Sequence, residues 1–326
     1  MSSSKPSTNR KHRRVDQPEW QPPKHLFFGS VNQSIKTRRP EAKQIAKKLQ
    51  LTSIKNENRC VACHYTQQHA AAEDLRVIAG VSCESCHGAG KDWNNLHHDY
   101  GGEGLTWKDE SPEHRTHRIT ASISAGMRNP VNVYLVAQSC FRCHTTADEE
   151  LVNIGSHSAG SLDFEFASWS QGTIRHNFAL SGGKTNQVRS QEKPRLMLVA
   201  GMIAELEAAL HGTAIATEKA TYGVTGAQRA ARAAARLKTM SQKVQSPTIE
   251  QILLVFGGVS LKLNNEQQLV AAANEIAALG YQFAKHPSSE DLSHWTHSFQ
   301  NQIAISSRHL PQSCSDKASG VTANRS

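Results

Sequence analysis

The sequence has few of the residues that usually build a large hydrophobic core. Among 326 residues, aromatic side chains make up 6% and the apolar fraction is 38%, although the length suffices for one large domain or two ordinary ones. No run reaches the ~18 apolar residues of a membrane helix, since the best stretch, LMLVAGMIAEL, is broken by Gly201 and Glu205. We therefore predict no membrane-spanning helix and expect a bound apolar group to complete the core.

The excess of basic residues lies in the N-terminal part of the chain. The sequence has 37 Lys and Arg against 28 Asp and Glu, and residues 1–48 contain twelve of the basic residues but only three acidic ones. We interpret this segment as a solvated tail; the alternative is a docking strip for an acidic partner or an anionic membrane surface. No basic and aromatic binding pattern follows it, so nucleic acid is not predicted as a partner.

Six of the seven cysteines form three copies of the pattern Cys-x-x-Cys-His. The copies are CVACH at 60–64, CESCH at 83–87 and CFRCH at 140–144, and the remaining Cys314 is given no role. On a helical turn this spacing brings two thiols to one edge of a porphyrin and points the next histidine at its iron. The pattern therefore predicts three covalently bound haem c groups. Their thioether bonds would come from Cys60, Cys63, Cys83, Cys86, Cys140 and Cys143, and their irons would be bound by His64, His87 and His144.

Two other uses of paired cysteines compete with haem attachment. The first two pairs have the spacing of a four-cysteine zinc site, but zinc requires no histidine after each pair and leaves the third motif without a role. A thioredoxin-like dithiol would open a helix of a βαβ unit, and no such unit is visible in the sequence. Haem attachment is therefore the favoured interpretation.

The motifs also resemble a known family. CVACH, then GVSCESCHGAG, then CFRCH is similar to three consecutive sites of the tetrahaem cytochrome that accepts electrons from hydroxylamine oxidoreductase, over roughly residues 56–150. That family has a further haem site upstream, where this chain has no cysteine, so the resemblance implies a relative with three haems. It also implies that the iron held by His64 has no second protein ligand.

Whether each iron has a second protein ligand distinguishes an electron carrier from a catalyst, because an iron with an open position can bind a small molecule. The candidate distal ligands are His97, His157 and His176. His97 follows CESCH at a spacing that resembles the family's distal ligand, with His98 as its main competitor. His157 lies just past the third motif, and His176 lies in TIRHNF. For each of them the alternative is a histidine that binds no metal.

Composition divides the chain into four parts. We predict a basic N-terminal extension at 1–55, a trihaem cytochrome c domain at 56–180, a helical domain at 190–310 and a disordered tail at 311–326. Short motif-bearing helices joined by long irregular loops are expected in the cytochrome domain. The predicted fold class is mainly α, with a small loop-rich multihaem domain followed by a bundle-like helical region.

Five amphipathic patterns predict the helices of the second half. They include PRLMLVAGMIAELEAALHGTA, TGAQRAARAAARLKTM beginning at a capping pair of Thr225 and Gln228, SPTIEQILLVF with Ser246 as its N-cap, NNEQQLVAAANEIAALGYQFAKH and SSEDLSHWTHSFQNQIA. We expect this half either to shield a haem edge or to form a dimer interface.

Together these features predict an electron carrier more than a catalyst. Three haems in one small domain would pass electrons between redox partner proteins. The alternative function is a haem-based oxidoreductase that acts on a small nitrogen or sulfur compound at an open iron. Covalent haem attachment takes place outside the cytoplasm, so we predict a periplasmic or extracytoplasmic protein, although residues 1–24 contain no hydrophobic export segment.

Overall fold

The computed structural model describes residues 39–71, 74–170, 192–243 and 246–285. The fold is mainly α, as the sequence predicts. In chain order its elements are α1 (Pro40–Lys48), a 3-10 turn (Ile54–Asn56), α2 (Asn58–His64), β1 (Thr66–Ala71), β2 (Asp74–Ala79), α3 (Cys83–His87), α4 (Pro112–Ser124), α5 (Val133–His144), α6 (Glu149–Asn153), α7 (Phe166–Ser168), α8 (Glu192–Ala214), α9 (Thr221–Ser241), α10 (Pro247–Gly257) and α11 (Glu266–Lys285).

A β-hairpin joins the helices of the first two cysteine motifs. Strands β1 and β2 pair antiparallel, with Thr66 opposite Ala79, where the sequence predicted an irregular loop. The strand-favouring residues Val77 and Ile78 fall in β2 and explain the difference. The Thr66 hydroxyl donates to the carbonyl of Gly80 at 2.7 Å. The hairpin therefore returns the chain from the end of α2 to the start of α3.

Helix α8 lies at the centre of the second half and packs against α5, α9 and α11. It has the length and composition of a membrane-spanning helix, contrary to the sequence-based expectation, and 83% of its most apolar window is buried inside the protein. Such burial is what the core helix of a soluble protein shows. Its apolar side chains, among them Ile203, Leu206 and Leu210, are fully buried within this one chain.

The predicted helical patterns of the second half recur as α8 to α11, and the fifth pattern, SSEDLSHWTHSFQNQIA, lies outside the described residues. Helix α9 begins at Thr221, so the predicted capping residue Thr225 lies inside the helix. The earlier start arises because the side-chain oxygen of Asn153 in α6 accepts the backbone N–H of Tyr222 at 2.9 Å. Ser246 does precede α10, but its side chain makes no capping hydrogen bond.

The main hydrophobic cluster extends beyond the four C-terminal helices. It takes in Val133, Tyr134, Ala137 and Phe141 of α5, together with buried residues of α8 to α11. Side chains at successive helical turns of α5 therefore anchor it in the helical core. Since α5 ends at the third cysteine motif, that motif is held by the second half of the molecule.

Candidate haem-binding site

The ends of α2, α3 and α5 meet, and each of these helices carries one cysteine motif. The Cys143 Sγ lies 3.9 Å from the carbonyl oxygen of Ala62, which places the third motif against the first. The guanidinium of Arg142 donates to the carbonyl of Ser85 at 3.4 Å, which connects the third motif to the second. The structure thus brings all three motifs together.

The pKa shifts of the thiols reflect the same convergence. The hydrogen bond from Cys63 lowers the pKa of Cys143, whereas burial raises the pKa of Cys86 and of Cys140. The charge of Cys143 raises the pKa of Cys86 further, and that of Cys86 does the same to Cys140. These directions agree with the contacts between the motif helices described above. The six motif cysteines form no disulfides.

The histidine of the second motif is oriented as a metal ligand. The Nδ1 atom of His87 lies 3.0 Å from the carbonyl oxygen of Arg128, and the backbone N–H of Arg128 donates to the carbonyl of His87 at 2.9 Å. Donation from Nδ1 puts the hydrogen there and the lone pair on Nε2, the form that binds a metal. The site around His87 therefore fits an iron ligand.

A buried indole beside the second motif has no partner among the described residues. Trp93 is 6% exposed, and its Nε1 makes no hydrogen bond. It lies close to Gly88, whose positive φ of 87° and approach to the carbonyl of Gly126 leave no room for a Cβ. Because a buried N–H needs an acceptor, a bound group carrying carbonyl or carboxylate oxygens would fit here.

The histidine of the first motif faces one of the predicted distal ligands. The ring centroids of His64 and His157 are 6.3 Å apart, with the planes at 62°. His157 follows α6 and its backbone N–H donates to the carbonyl of Leu151 at 3.0 Å. Of the predicted distal histidines that the structure describes, His157 is the one whose ring contacts that of a motif histidine.

The histidine of the third motif lies among aromatic rings. His144 stacks on Phe164 with centroids 3.8 Å apart, and its edge meets Trp169 at 5.6 Å. Phe164 also contacts Phe141 of α5 at 5.3 Å. These contacts fix the orientation of the His144 ring at the edge of the hydrophobic core.

The predicted distal ligand His97 lies in a loop held by α4. Its Nδ1 and that of His98 both point to the carbonyl of Asn94, at 2.6 and 2.7 Å. Arg118 donates to the carbonyl of His97 at 2.6 Å and pairs with Glu110. Burial lowers the pKa of His97, which favours the neutral, metal-binding imidazole. The structure thus places the His97 ring against those of Trp93 and His98, and His176 lies outside the described residues.

Two further observations bear on the kind of group that this region holds. Within the described ranges, no three or more His, Cys, Asp or Glu side chains form a metal site, so the four-cysteine arrangement of the zinc alternative is not present there. Among the side chains that the structure describes between residues 58 and 129, the buried hydrophobic ones are Val61, Tyr65, Trp93 and Met127. These residues belong to neither hydrophobic cluster of the described chain, which fits a region completed by a large apolar group.

Comparison with known proteins points to the same class. A family described as "Cytochrome c554 and c-prime" matches residues 18–88, a segment that includes the first two motifs but not the third. No curated protein and no solved structure matches the chain. The family match supports a c-type cytochrome, with covalently bound haem c and its iron.

Sequence reasoning missed the residues that hold the site from outside the motifs. Arg229 of α9 is fully buried and donates to the carbonyls of Ala159 and Ser161, yet in the sequence it looks like its neighbours Arg232 and Arg236. No local signal separates the three arginines. The contact partners lie about 70 positions away in the chain, where pattern reading cannot find them.

Proposed function

We propose that this chain is a trihaem c-type cytochrome that carries electrons between redox partner proteins outside the cytoplasm. Haem bound at each motif would supply reversible one-electron chemistry at its iron. The observation that carries the proposal is the meeting of the three motif helices, where the Cys143 Sγ lies 3.9 Å from the carbonyl oxygen of Ala62 and Arg142 donates to the carbonyl of Ser85. Attachment points this close favour transfer between neighbouring groups within one chain.

The protein's own residues have three tasks in this function. The cysteine pairs fix the position of each group, and His64, His87 and His144 bind its iron from one side. The carbonyl of Arg128 orients the His87 ring through Nδ1 at 3.0 Å, which strengthens the imidazole as a ligand. His97, His157 and His176 remain the proposed ligands on the opposite sides.

The basic N-terminal segment is the proposed docking region for an acidic partner or an anionic surface. Residues 1–48 carry a formal excess of nine positive charges, which equals that of the whole sequence, and α1 at the end of this segment presents Lys43, Lys47 and Lys48. Clustered charge of one sign speeds encounter with a complementary surface and loses this effect in salt. Reduction by an acidic redox protein should therefore slow as ionic strength rises.

A reductive titration of the haem-loaded protein tests the proposal. The expected result is uptake of three electrons per chain, complete reoxidation by a second redox protein, and no turnover of hydroxylamine, nitrite or sulfite. Uptake of no electrons, or steady turnover of one of these compounds without a protein partner, would overturn the carrier function. The second outcome would favour the oxidoreductase alternative.

A further inference from the structure

We propose that His157 is the second axial ligand of the iron held at the first motif, and that Arg229 of the helical half positions it. The inference rests on the proposed function, since it requires haem at Cys60 and Cys63. It gives the helical half a task within the cytochrome. It also departs from the resembled family, which implies an open iron at His64.

The distance between the rings of His64 and His157 fits two imidazoles bound to one iron. Metal–imidazole bonds are about 2 Å long, so two rings on opposite sides of one iron have centroids about 6 Å apart. The His64 and His157 centroids are 6.3 Å apart. An edge-to-face contact between the rings alone allows a broad range of separations, and the test below separates the two explanations.

The hydrogen bonding of His157 favours the required tautomer. Its Nδ1 lies 2.8 Å from the carbonyl oxygen of Ser158. Because a carbonyl only accepts, the hydrogen belongs on Nδ1 and the lone pair on Nε2. This is the arrangement seen when a backbone carbonyl orients a metal-binding histidine.

Arg229 holds the backbone that follows His157. One of its amino groups donates to the carbonyl of Ser161 at 3.0 Å and the other to the carbonyl of Ala159 at 3.2 Å. Its charge is balanced by Glu205 of α8 at 3.3 Å, and both side chains are 1–2% exposed. A buried guanidinium with carbonyl and carboxylate partners is a rigid support, so α8 and α9 fix the segment that carries His157.

The same segment is packed against the end of the third motif. The backbone N–H of Ser161 donates to the carbonyl of His144 at 3.3 Å. Gly160 has a φ of +77°, and a Cβ there would lie 2.0 Å from that carbonyl oxygen and 2.9 Å from Arg229. Only glycine fits this backbone. The segment from His157 to Ser161 is thus fixed from two sides while its histidine faces the first motif.

Carbon monoxide binding to the reduced, haem-loaded full chain tests the ligand. His157→Ala should bind one more carbon monoxide per chain than the natural protein and show one more high-spin ferric haem. Free imidazole should reverse both changes. His117→Ala, an exposed histidine on α4, is the matched control and should change neither. Unchanged carbon monoxide stoichiometry in His157→Ala, with three haems attached, would overturn the proposal.

A second variant, His157→Met, tests the ligand if His157→Ala cannot be produced with its haems attached. His157→Met keeps a side chain that can ligate iron, and thioether ligation raises the potential of a haem. One of three midpoint potentials should then rise, while the other two stay in place. Three unchanged potentials would contradict ligation by His157. A natural protein with no covalent haem would instead refute the proposed function itself.

The role of Arg229 is tested by Arg229→Lys beside Arg232→Lys, a change at an exposed arginine of the same helix. A lysine keeps the charge next to Glu205 but lacks the planar fork that spans the two carbonyls. Arg229→Lys should therefore bind a fraction of one additional carbon monoxide, and Arg232→Lys none. Loss of stability alone would not count as support. Natural carbon monoxide binding in Arg229→Lys would show that Arg229 does not position the ligand.

Discussion

The two halves of the molecule reach a buried interior in different ways. The second half, together with α5, builds a continuous cluster from its own side chains, with Ile203, Leu237 and Ile276 fully buried. In the part of the chain described between residues 58 and 129, only Val61, Tyr65, Trp93 and Met127 are buried hydrophobics, while three cysteine motifs converge at its edge. This difference supports a first half whose interior is completed by a bound group such as the proposed haems, whereas the second half builds its interior from its own side chains.

Removing one attachment site should have the largest effect. In Cys83→Ala with Cys86→Ala, we expect the chain to lose one haem and about 4 kcal/mol or more of unfolding free energy, because a large buried apolar group is lost. Intact mass and denaturant unfolding measure the two changes. Cys314→Ala is the control and should keep every haem. Full stability with one haem fewer would contradict the claim that this haem completes the interior of the first half.

A cavity in the second half should destabilise the fold without changing the number of bound haems. Ile203 is fully buried in α8, so Ile203→Ala should cost about 3 kcal/mol. The haem count and the visible spectrum should stay those of the natural protein. Leu254→Ala, at a side chain that is 76% exposed, should have little effect on stability. Because the second half also holds the third motif through α5, haem loss in Ile203→Ala would mean that haem binding there depends on the packing of α8.

The ion pair of Glu110 and Arg118 should make the stability of the first half depend on pH. Hydrogen bonding from Arg118 lowers the pKa of Glu110 from 4.5 to about 2. Since the lowered pKa belongs to the folded state, the pair contributes its full stability above about pH 4.5 and loses it as the pH falls toward 2. Glu110→Gln should remove this contribution, so its melting temperature should fall less steeply with acid.

Melting curves of the two proteins across that pH range measure the difference. Glu113→Gln, at an exposed carboxylate of the same helix, serves as the control and should follow the natural protein. Parallel curves for Glu110→Gln and the natural protein would refute the assigned role. Because Arg118 also donates to the carbonyl of His97, the variant should also loosen the loop that carries this histidine.

The smallest effect is expected at the surface ion pairs between α2 and α6. Arg59 lies 3.2 Å from Asp148 and 2.8 Å from Glu150, with its side chain 30% exposed. Exposed pairs contribute little, so Arg59→Ala should cost about 0.5 kcal/mol and leave the haem count unchanged. A double-mutant cycle with Glu150→Gln measures the coupling. A coupling several times larger would mean that these bridges, and not the haems, hold the first half in place.

Local patterns in the sequence predicted much of the fold. The apolar periodicity of α8 to α11 predicted these helices, because the signal lies within a few turns of chain. The motif spacing predicted the attachment residues, and that assignment stays a prediction. The start of α9 was wrong because Asn153, far away in sequence, caps it at Tyr222. The β-hairpin was missed because its strands are short and β1, TQQHAA, contains few strand-favouring residues, so that Val77 and Ile78 of β2 were the main signal.

The distal ligands show the limit of sequence reading more sharply. The sequence predicted His97 from a spacing that resembles the family and His157 from its place after the third motif. The structure brings His157 up to His64 and leaves His97 bonded to Asn94 and supported by Arg118. The position of His157 depends on long-range contacts, such as those of Arg229 with Ala159. Contacts of this kind leave no pattern in a single sequence.

The mass of the intact, denatured chain, produced where haem can be attached, and its ferrous pyridine spectrum show directly whether the three motifs hold haem. We predict three haems that remain bound after denaturation, one for each of the motifs ending at His64, His87 and His144. A chain without covalent haem, and with zinc found by metal analysis, would contradict it.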